Sequence, residues 1–144
     1  MRVDLSKPKV VALYCRVARE DDKAIGKQAS ILRDYAKEHG YTALKLYVDN
    51  GVSGIGFDRP ALNRLERHIS VGRIKAVMVT EISRVSRNAL EIPGWIDRLR
   101  CRGISFIAVK DGITGESFDN KAELFQRFCE HFERQENQPP IYGG

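Results

Sequence analysis

An apolar run that turns polar constrains this chain more than any other stretch. Residues 10–13 read Val-Val-Ala-Leu, which is typical of a strand buried on both faces of a parallel sheet. Tyr14 and Arg16 follow, and their spacing of two places them on one face of such a strand, with Ala18 next in line. A buried arginine needs a partner. The strand alone leaves two interpretations open: a structural arginine held by a carboxylate, or an arginine that reaches a ligand.

Strand and helix patterns alternate along the rest of the chain. Apolar runs of strand length follow at 43–48, 74–79 and 104–109. Helical spacing of apolar residues predicts helices at 21–39, from Pro60 onward, at 89–101 with a late start or kink at Pro93-Gly94, and at 121–135. This alternation predicts an α/β fold: a mainly parallel four-stranded sheet flanked by helices on both faces, with a long C-terminal helix. We predict one domain over 1–144, with its core at about 9–120.

Composition adds few constraints. Lysine and arginine outnumber aspartate and glutamate by 24 to 19, and the net charge of +5 permits an anionic partner such as nucleic acid without demanding one. The three cysteines lie far apart and have no metal-ligand spacing, which favours a reducing, cytoplasmic location. No apolar run has membrane-spanning length, and no signal peptide is visible.

Arginines gather where the predicted strands end. Ligands of parallel α/β sheets bind outside the carboxyl ends of the strands. This rule brings together the end of the first strand, the glycine-rich stretch 49–59 and the polar segment 80–88. The arginines that these segments contribute are Arg16, Arg59, Arg84 and Arg87. Because planar guanidinium groups bind phosphate oxygens in pairs, the gathering predicts a phosphate-rich ligand.

Each feature also has a simpler explanation. Arg84 and Arg87 are three apart and suit a solvated helix face. Gln28 could bond a backbone carbonyl, and Cys15 is expected to be a buried, inert thiol rather than a nucleophile. The acidic run 20–22 fits a helix N-terminus better than a metal-binding receiver domain. No Gly-x-Gly-x-x-Gly or Walker loop supports nucleotide binding.

Four segments in order resemble the motifs of the serine recombinases, the resolvase and invertase family. Residues 14–18, Tyr-Cys-Arg-Val-Ala, are similar to the family's Tyr-x-Arg-Val-Ser, and Gln28 matches a glutamine on its first helix. Residues 49–54 with Asp58-Arg59-Pro60 resemble its Asp-x-x-x-Ser-Gly loop and Arg-Pro. Residues 84–88, Arg-Val-Ser-Arg-Asn, match its Arg-x-x-Arg-Asn/Asp. The resemblance covers about residues 9–135.

The resemblance implies DNA strand exchange without a metal or nucleotide cofactor. In that family a serine attacks a DNA phosphodiester, forms a phosphoserine link to the 5′ end, and the subunits rotate before religation. Arginines then stabilise the charge on the phosphorane. Arg16, Arg84 and Arg87 are implied to clamp the scissile phosphate, and Arg59 to support them. The residues implied to orient this group are Tyr14, Gln28, Asp49 and Ser53.

Three departures from the family pattern bear on activity. Ala18 occupies the nucleophile position, where a methyl group cannot attack phosphorus; in a well-studied hydrolase, losing the nucleophile costs on the order of 10⁶ in rate. Ser83 stands where the family usually has an aspartate. Ser83 and Ser86 follow a different strand, so we do not expect either to replace the nucleophile. The sequence ends at Gly144 without the helix-turn-helix domain that members usually carry.

Three functions therefore remain as hypotheses. The first is a recombinase catalytic-type domain that acts on DNA but cannot cleave it. The second is a non-catalytic regulator that pairs with an active recombinase, and the third is an anion-binding domain unrelated to DNA. A homodimer or heterodimer is expected through the last helix, 121–136, because its apolar stripe resembles the family's dimer contact, although such a stripe could instead pack on the sheet. The stripe consists of Leu124, Phe125, Phe128 and Phe132.

Overall fold

The computed structural model describes residues 8–52, 59–86 and 91–113, which form one parallel sheet with helices on both faces. The strands are β1 (Val10–Val17), β2 (Leu44–Asn50), β3 (Ile74–Val79) and β4 (Ser105–Ala108). The helices are α1 (Asp22–Glu38), α2 (Pro60–Ser70) and α3 (Ile92–Cys101). The spatial order is β2-β1-β3-β4, and all three pairings are parallel. The predicted α/β class and sheet are confirmed. The predicted helix at 121–136 lies outside the described residues.

β1 lies between β2 and β3 and is longer than either of them. Its pairing with β2 continues to Val17, opposite Asn50, whereas its pairing with β3 ends at Leu13, opposite Met78. The last part of β1 therefore has no strand beside it on the β3 side. Other groups must satisfy the backbone there, because buried backbone N–H and C=O groups are almost always hydrogen-bonded.

The sheet separates two apolar layers. On one face, α1 packs Ala29, Leu32 and Ala36 against a layer that includes Val11 and Cys15 of β1. On the other face, α2 and α3 cover the alternate residues of the strands. The predicted helices on both faces and the buried position of Cys15 are confirmed.

The end of β2 differs from the prediction. β2 continues through Asp49 and Asn50, which the sequence pattern assigned to the following loop; polar side chains end an apolar run without ending the strand. The segment after β3 contains a single turn of 3-10 helix, Ile82–Arg84, and α3 begins at Ile92, in line with the late start that Pro93 predicts. Among the described helices, none combines the length and apolarity needed to cross a bilayer.

Burial makes the thiol of Cys15 a poor nucleophile. Its side chain has no solvent exposure, and desolvation raises its pKa to about 11. Cys101 is exposed. We expect iodoacetamide at pH 8 to alkylate Cys101 within minutes in the folded protein and to leave Cys15 unmodified until denaturant is added, as read by peptide mass spectrometry. Equal labelling of both thiols would show that Cys15 is not in the core.

Candidate functional site

The side chain of Arg16 lies at the carboxyl edge of the sheet and is almost entirely buried. It is 1% exposed, and its guanidinium donates to three main-chain carbonyl oxygens. Nε donates to Arg84 O, Nη1 to Val52 O and Nη2 to Ser83 O, each at 2.9 Å. One side chain thus joins the end of β1 to the segments that follow β2 and β3. Arg16 is therefore buried, as the structural-arginine interpretation requires. The three acceptors described here are carbonyl oxygens, whereas that interpretation expected a carboxylate.

A side-chain amide completes the backbone of β1 where β3 has ended. Gln28 of α1 accepts a hydrogen bond from Arg16 N at 3.1 Å, and its Nε2 donates to Arg16 O at 3.0 Å. The amide therefore pairs with this residue as a neighbouring strand would. This is a backbone role of the kind that the sequence left open for Gln28.

Tyr14 and Asp49 form a second buried link, between β1, β2 and α2. The Tyr14 hydroxyl donates to Asp49 Oδ2 at 2.7 Å. The same carboxylate accepts from Ala61 N at 2.8 Å and Leu62 N at 3.1 Å, so it caps α2, whose own N-cap, Arg59, makes no side-chain capping bond. Burial, together with the bond to Asp49, raises the pKa of Tyr14 well above its usual range, which keeps the phenol protonated as a donor.

The other two described arginines of the predicted site, Arg59 and Arg84, differ in exposure. Arg59 is buried and its Nη2 donates to Val85 O. Arg84 has a side chain that is 27% exposed; its Nη1 donates to Arg16 O at 3.2 Å, and its Nη2 lies 3.7 Å from Glu81 Oε1. Of Arg16, Arg59 and Arg84, the last is therefore the one that solvent, or a ligand, reaches most easily. Arg87 and Ser53 lie outside the described residues.

Ala18 is partly exposed and follows directly after β1. The preceding carbonyl, Val17 O, accepts from both Gly51 N and Val52 N at 2.9 Å, so the chain after β2 folds back beside Ala18. Ser83 and Ser86 are both buried. Position 18 thus lies at the carboxyl edge of the sheet that carries Arg16, Arg59 and Arg84, which we call the arginine edge. Its methyl group offers no atom that could attack an electrophile.

Two polar residues that shape this edge are not evident from the sequence. Asp111 accepts from Ile82 N at 2.7 Å and so caps the 3-10 turn that carries Ser83 and Arg84. Asn50 accepts from Asp21 N at 2.9 Å and donates to Asp22 Oδ1 at 2.8 Å, which fixes the end of β2 to the start of α1. Asn50 and Asp21 are 29 residues apart in sequence, and so are Asp111 and Ile82. Local sequence patterns could not reveal contacts over such separations.

The edge contains fixed N–H donors and guanidinium groups. Among the residues that the structure describes, no three His, Cys, Asp or Glu side chains are placed to hold a metal ion. The arrangement can attract and orient an anion near Arg84.

Removal of the Asp49 carboxylate should destabilise the fold substantially. Asp49→Ala leaves the Tyr14 hydroxyl and two N–H groups of α2 without their acceptor, and we expect a loss of about 3 kcal/mol in the free energy of unfolding. Asp34→Ala, at an exposed position on α1, is the control and should change it by less than about 0.5 kcal/mol. Urea denaturation measures both. Equal values for the two variants would contradict the capping role.

Comparison with known proteins identifies the family. Residues 11–138 match the family model described as "Resolvase, N terminal domain". A resolvase of Clostridium perfringens is 28% identical over 112 residues, which are 78% of this chain and 55% of that protein. A Bacillus subtilis (strain 168) protein named as a DNA recombinase is 35% identical over 101 residues, which are 69% of this chain. This chain spans about half the length of the first of these relatives and 20% of the second.

Solved structures give the same result. The N-terminal catalytic domain of TP901-1 integrase superposes with a TM-score of 0.71 at 28% identity, covering 90% of this chain and all of that one. A resolvase family site-specific recombinase from Streptococcus pneumoniae gives 0.70 at 27% identity, covering 90% of each chain. The chain belongs to the resolvase N-terminal domain family and has the fold of a serine recombinase catalytic domain.

Proposed function

We propose that this domain binds the phosphate backbone of DNA at the carboxyl edge of its sheet, as part of a recombination system, and does not cut the DNA. The observation that carries the proposal is the juxtaposition of Ala18 with the edge that Arg16 and Arg84 build. Family membership supports DNA as the partner. The alanine at the nucleophile position supports binding without cleavage.

Arg84 is the described residue that we assign to the phosphate. Its side chain is partly exposed, and its guanidinium is held beside the end of β1 by the bond to Arg16 O. Arg87 is proposed to act with it, on the basis of the sequence motif alone. Guanidinium groups fixed in advance bind phosphate oxygens with little loss of side-chain entropy.

Arg16 is proposed to position this edge rather than to contact DNA first. Three of its N–H groups already donate to carbonyl oxygens, and the side chain is buried. Its burial and these three bonds make its guanidinium less accessible to a phosphate than that of Arg84. Tyr14, Gln28 and Asp49 support the same edge through the backbone bonds described above.

A replacement nucleophile has no support in the geometry. Ser83 and Ser86 are buried on the segment after β3, and the main-chain oxygen of Ser83 is engaged by Arg16. Serine attack requires an exposed hydroxyl in line with the phosphorus and a group that takes its proton. We therefore propose that neither serine forms a bond to DNA.

Two measurements test the proposal: covalent attachment of the protein to a supercoiled plasmid, and non-covalent binding of the protein to a short duplex. We expect no protein attached to 5′ ends after a denaturing quench, because Ala18 has no nucleophilic atom. Non-covalent binding should be weak and should fall steeply with salt. Ala18→Ser should restore little cleavage, since Ser83 still occupies the position at which the family usually has an aspartate.

The contribution of the arginine edge is measured in the same assay. Arg84→Ala should weaken duplex binding roughly tenfold, whereas Arg33→Ala, on an exposed part of α1, should weaken it only slightly. A covalent adduct from the unchanged protein would contradict the inactive assignment. Equal effects of the two substitutions would place the DNA elsewhere.

A second candidate function is regulation through pairing with another recombinase subunit. The sequence stripe Leu124, Phe125, Phe128 and Phe132 supports it, because aromatic side chains are enriched in interface cores. In this proposal the helix at 121–136 contacts a second copy or an active recombinase.

A cytoplasmic location, suggested by the cysteine pattern, also stays a prediction.

Pairing through this stripe predicts a specific change in oligomeric state. Phe128→Asp with Phe132→Asp should give a folded monomer in sedimentation velocity, because two buried carboxylates are incompatible with an apolar interface. Gln126→Asp with Gln135→Asp adds the same charge at polar positions and should leave association unchanged. Unfolding of the phenylalanine variant, seen by circular dichroism, would assign the stripe to the domain core instead.

A further inference from the structure

A cluster of basic side chains lies at the free edge of β2, away from the arginine edge. β2 is one of the two outer strands of the described sheet, and α2 runs beside it. We call this surface the β2-edge cluster. Its members are Lys45, Arg64, Arg67, His68 and Arg73.

The cluster is assembled around a buried tyrosine. Tyr47 of β2 is fully buried, and its hydroxyl lies 2.5 Å from Nδ1 of His68 on α2. The two rings meet edge to face, with centroids 5.7 Å apart. Lys45 Nζ and the Arg64 guanidinium carbon lie 5.5 Å and 5.8 Å from the centroid of the same tyrosine ring. Cation–ring contacts at this range hold both basic side chains over one surface.

Among the described residues, no carboxylate forms an ion pair with the cluster. Within residues 8–52, 59–86 and 91–113, the ion pairs join Glu81 to Arg84 and to Lys110, and none involves a member of the cluster. Burial lowers the pKa of His68, and the charges of Lys45, Arg73, Arg64 and Arg67 lower it further. Those four cations therefore act together on one imidazole and disfavour its protonated form.

Helix polarity explains only part of this arrangement. Arg67 and His68 lie in the last turn of α2, where cations interact favourably with the helix dipole. Lys45 lies near the start of β2 and Arg73 directly before β3, so neither belongs to that turn. The like charges of the cluster repel one another, and a bound anion would offset that repulsion. The surface therefore favours a polyanionic partner over a neutral one.

The cluster and the arginine edge occupy different ends of the sheet. Lys45 and Arg73 flank the amino ends of β2 and β3, whereas Arg84 follows the carboxyl end of β3. Strands of this length separate the two ends by roughly 20 Å. One phosphate cannot contact both places, but one duplex, with a phosphate about every 1.7 Å of its axis, can contact both.

We infer that the β2-edge cluster is a second DNA-backbone surface, which binds the phosphates of duplex DNA away from the arginine edge. The identity of the polyanion rests on the proposed function; the charge arrangement does not. The contacts are to phosphate, so the surface adds affinity and orientation without reading the base sequence. An acidic protein surface is the competing partner, and the experiment below separates the two.

The test compares two charge-matched double variants of the full chain on a duplex of roughly 30 bp, about three helical turns. Arg64→Gln with Arg67→Gln removes two charges from the cluster, and Arg33→Gln with Lys37→Gln removes two exposed charges from α1, on the other sheet face. Glutamine keeps helix propensity close to that of lysine and arginine. The slope of log affinity against log salt should become less negative by about 2 for the cluster variant, with affinity falling more than about tenfold at 0.1 M salt. The control should change neither by a comparable amount.

A second readout follows His68 directly by NMR titration in the full chain. The groups that face its imidazole are Tyr47 and Lys45 of β2, Arg64 and Arg67 of α2, and Arg73 before β3. Bound phosphates would offset those four cations, so the pKa of His68 should rise when duplex is added. An unchanged pKa at saturating duplex would show that DNA does not reach the cluster.

Three outcomes of the binding and sedimentation measurements would also overturn the inference, and they are distinguishable. If Arg84→Ala weakens binding while the cluster variant behaves like its control, the proposed function stands and the second surface is wrong. If the unchanged protein does not bind duplex at all, the proposed function fails together with this surface. If the cluster variant keeps the salt slope but lowers self-association in sedimentation, the partner is protein rather than DNA.

Discussion

The buried guanidinium of Arg16 is the interaction on which the carboxyl edge of this domain depends. β1 continues beyond β3, so the end of the central strand lacks a neighbour on one side. Arg16 joins that end to the segments after β2 and β3 through three carbonyl oxygens, and Gln28 satisfies its backbone. Burying a charge costs several kcal/mol unless its donors are matched, and here three donors have acceptors at 2.9 Å. The edge is therefore built before any ligand arrives.

Several polar side chains near this edge form hydrogen bonds with the backbone. Asp49 caps α2 and accepts from Tyr14, and Asp111 caps the turn that carries Arg84. That turn holds Arg84, whose side chain is partly exposed, beside the end of β1. Under the proposed function, Ala18 leaves this edge with a phosphate-binding surface and without a nucleophile. This separates two properties, anion binding and bond cleavage, that depend on different side chains.

The sequence predicted the features that depend on local periodicity and topology. Apolar runs and helical spacing gave the four parallel strands, the three described helices and the buried position of Cys15. The rule for parallel sheets also placed Arg16, Arg59 and Arg84 at one edge. The extent of β2 and the capping by Asp49 and Asp111 were not predictable, because their partners lie on other elements. The β2-edge cluster escaped notice for the same reason: its cations come from three segments that only the folded sheet brings together.

The most direct test of this account is an NMR measurement of the arginine Nε–H signals, made on the full chain with and without duplex DNA. The account predicts that the Arg16 signal exchanges slowly with solvent, since Nε donates to Arg84 O in a buried site, and that it barely moves when DNA is added. The Arg84 signal should shift on addition of DNA. A rapidly exchanging Arg16 signal, or one that shifts more than that of Arg84, would contradict the claim that Arg16 holds the edge together while Arg84 contacts the phosphate.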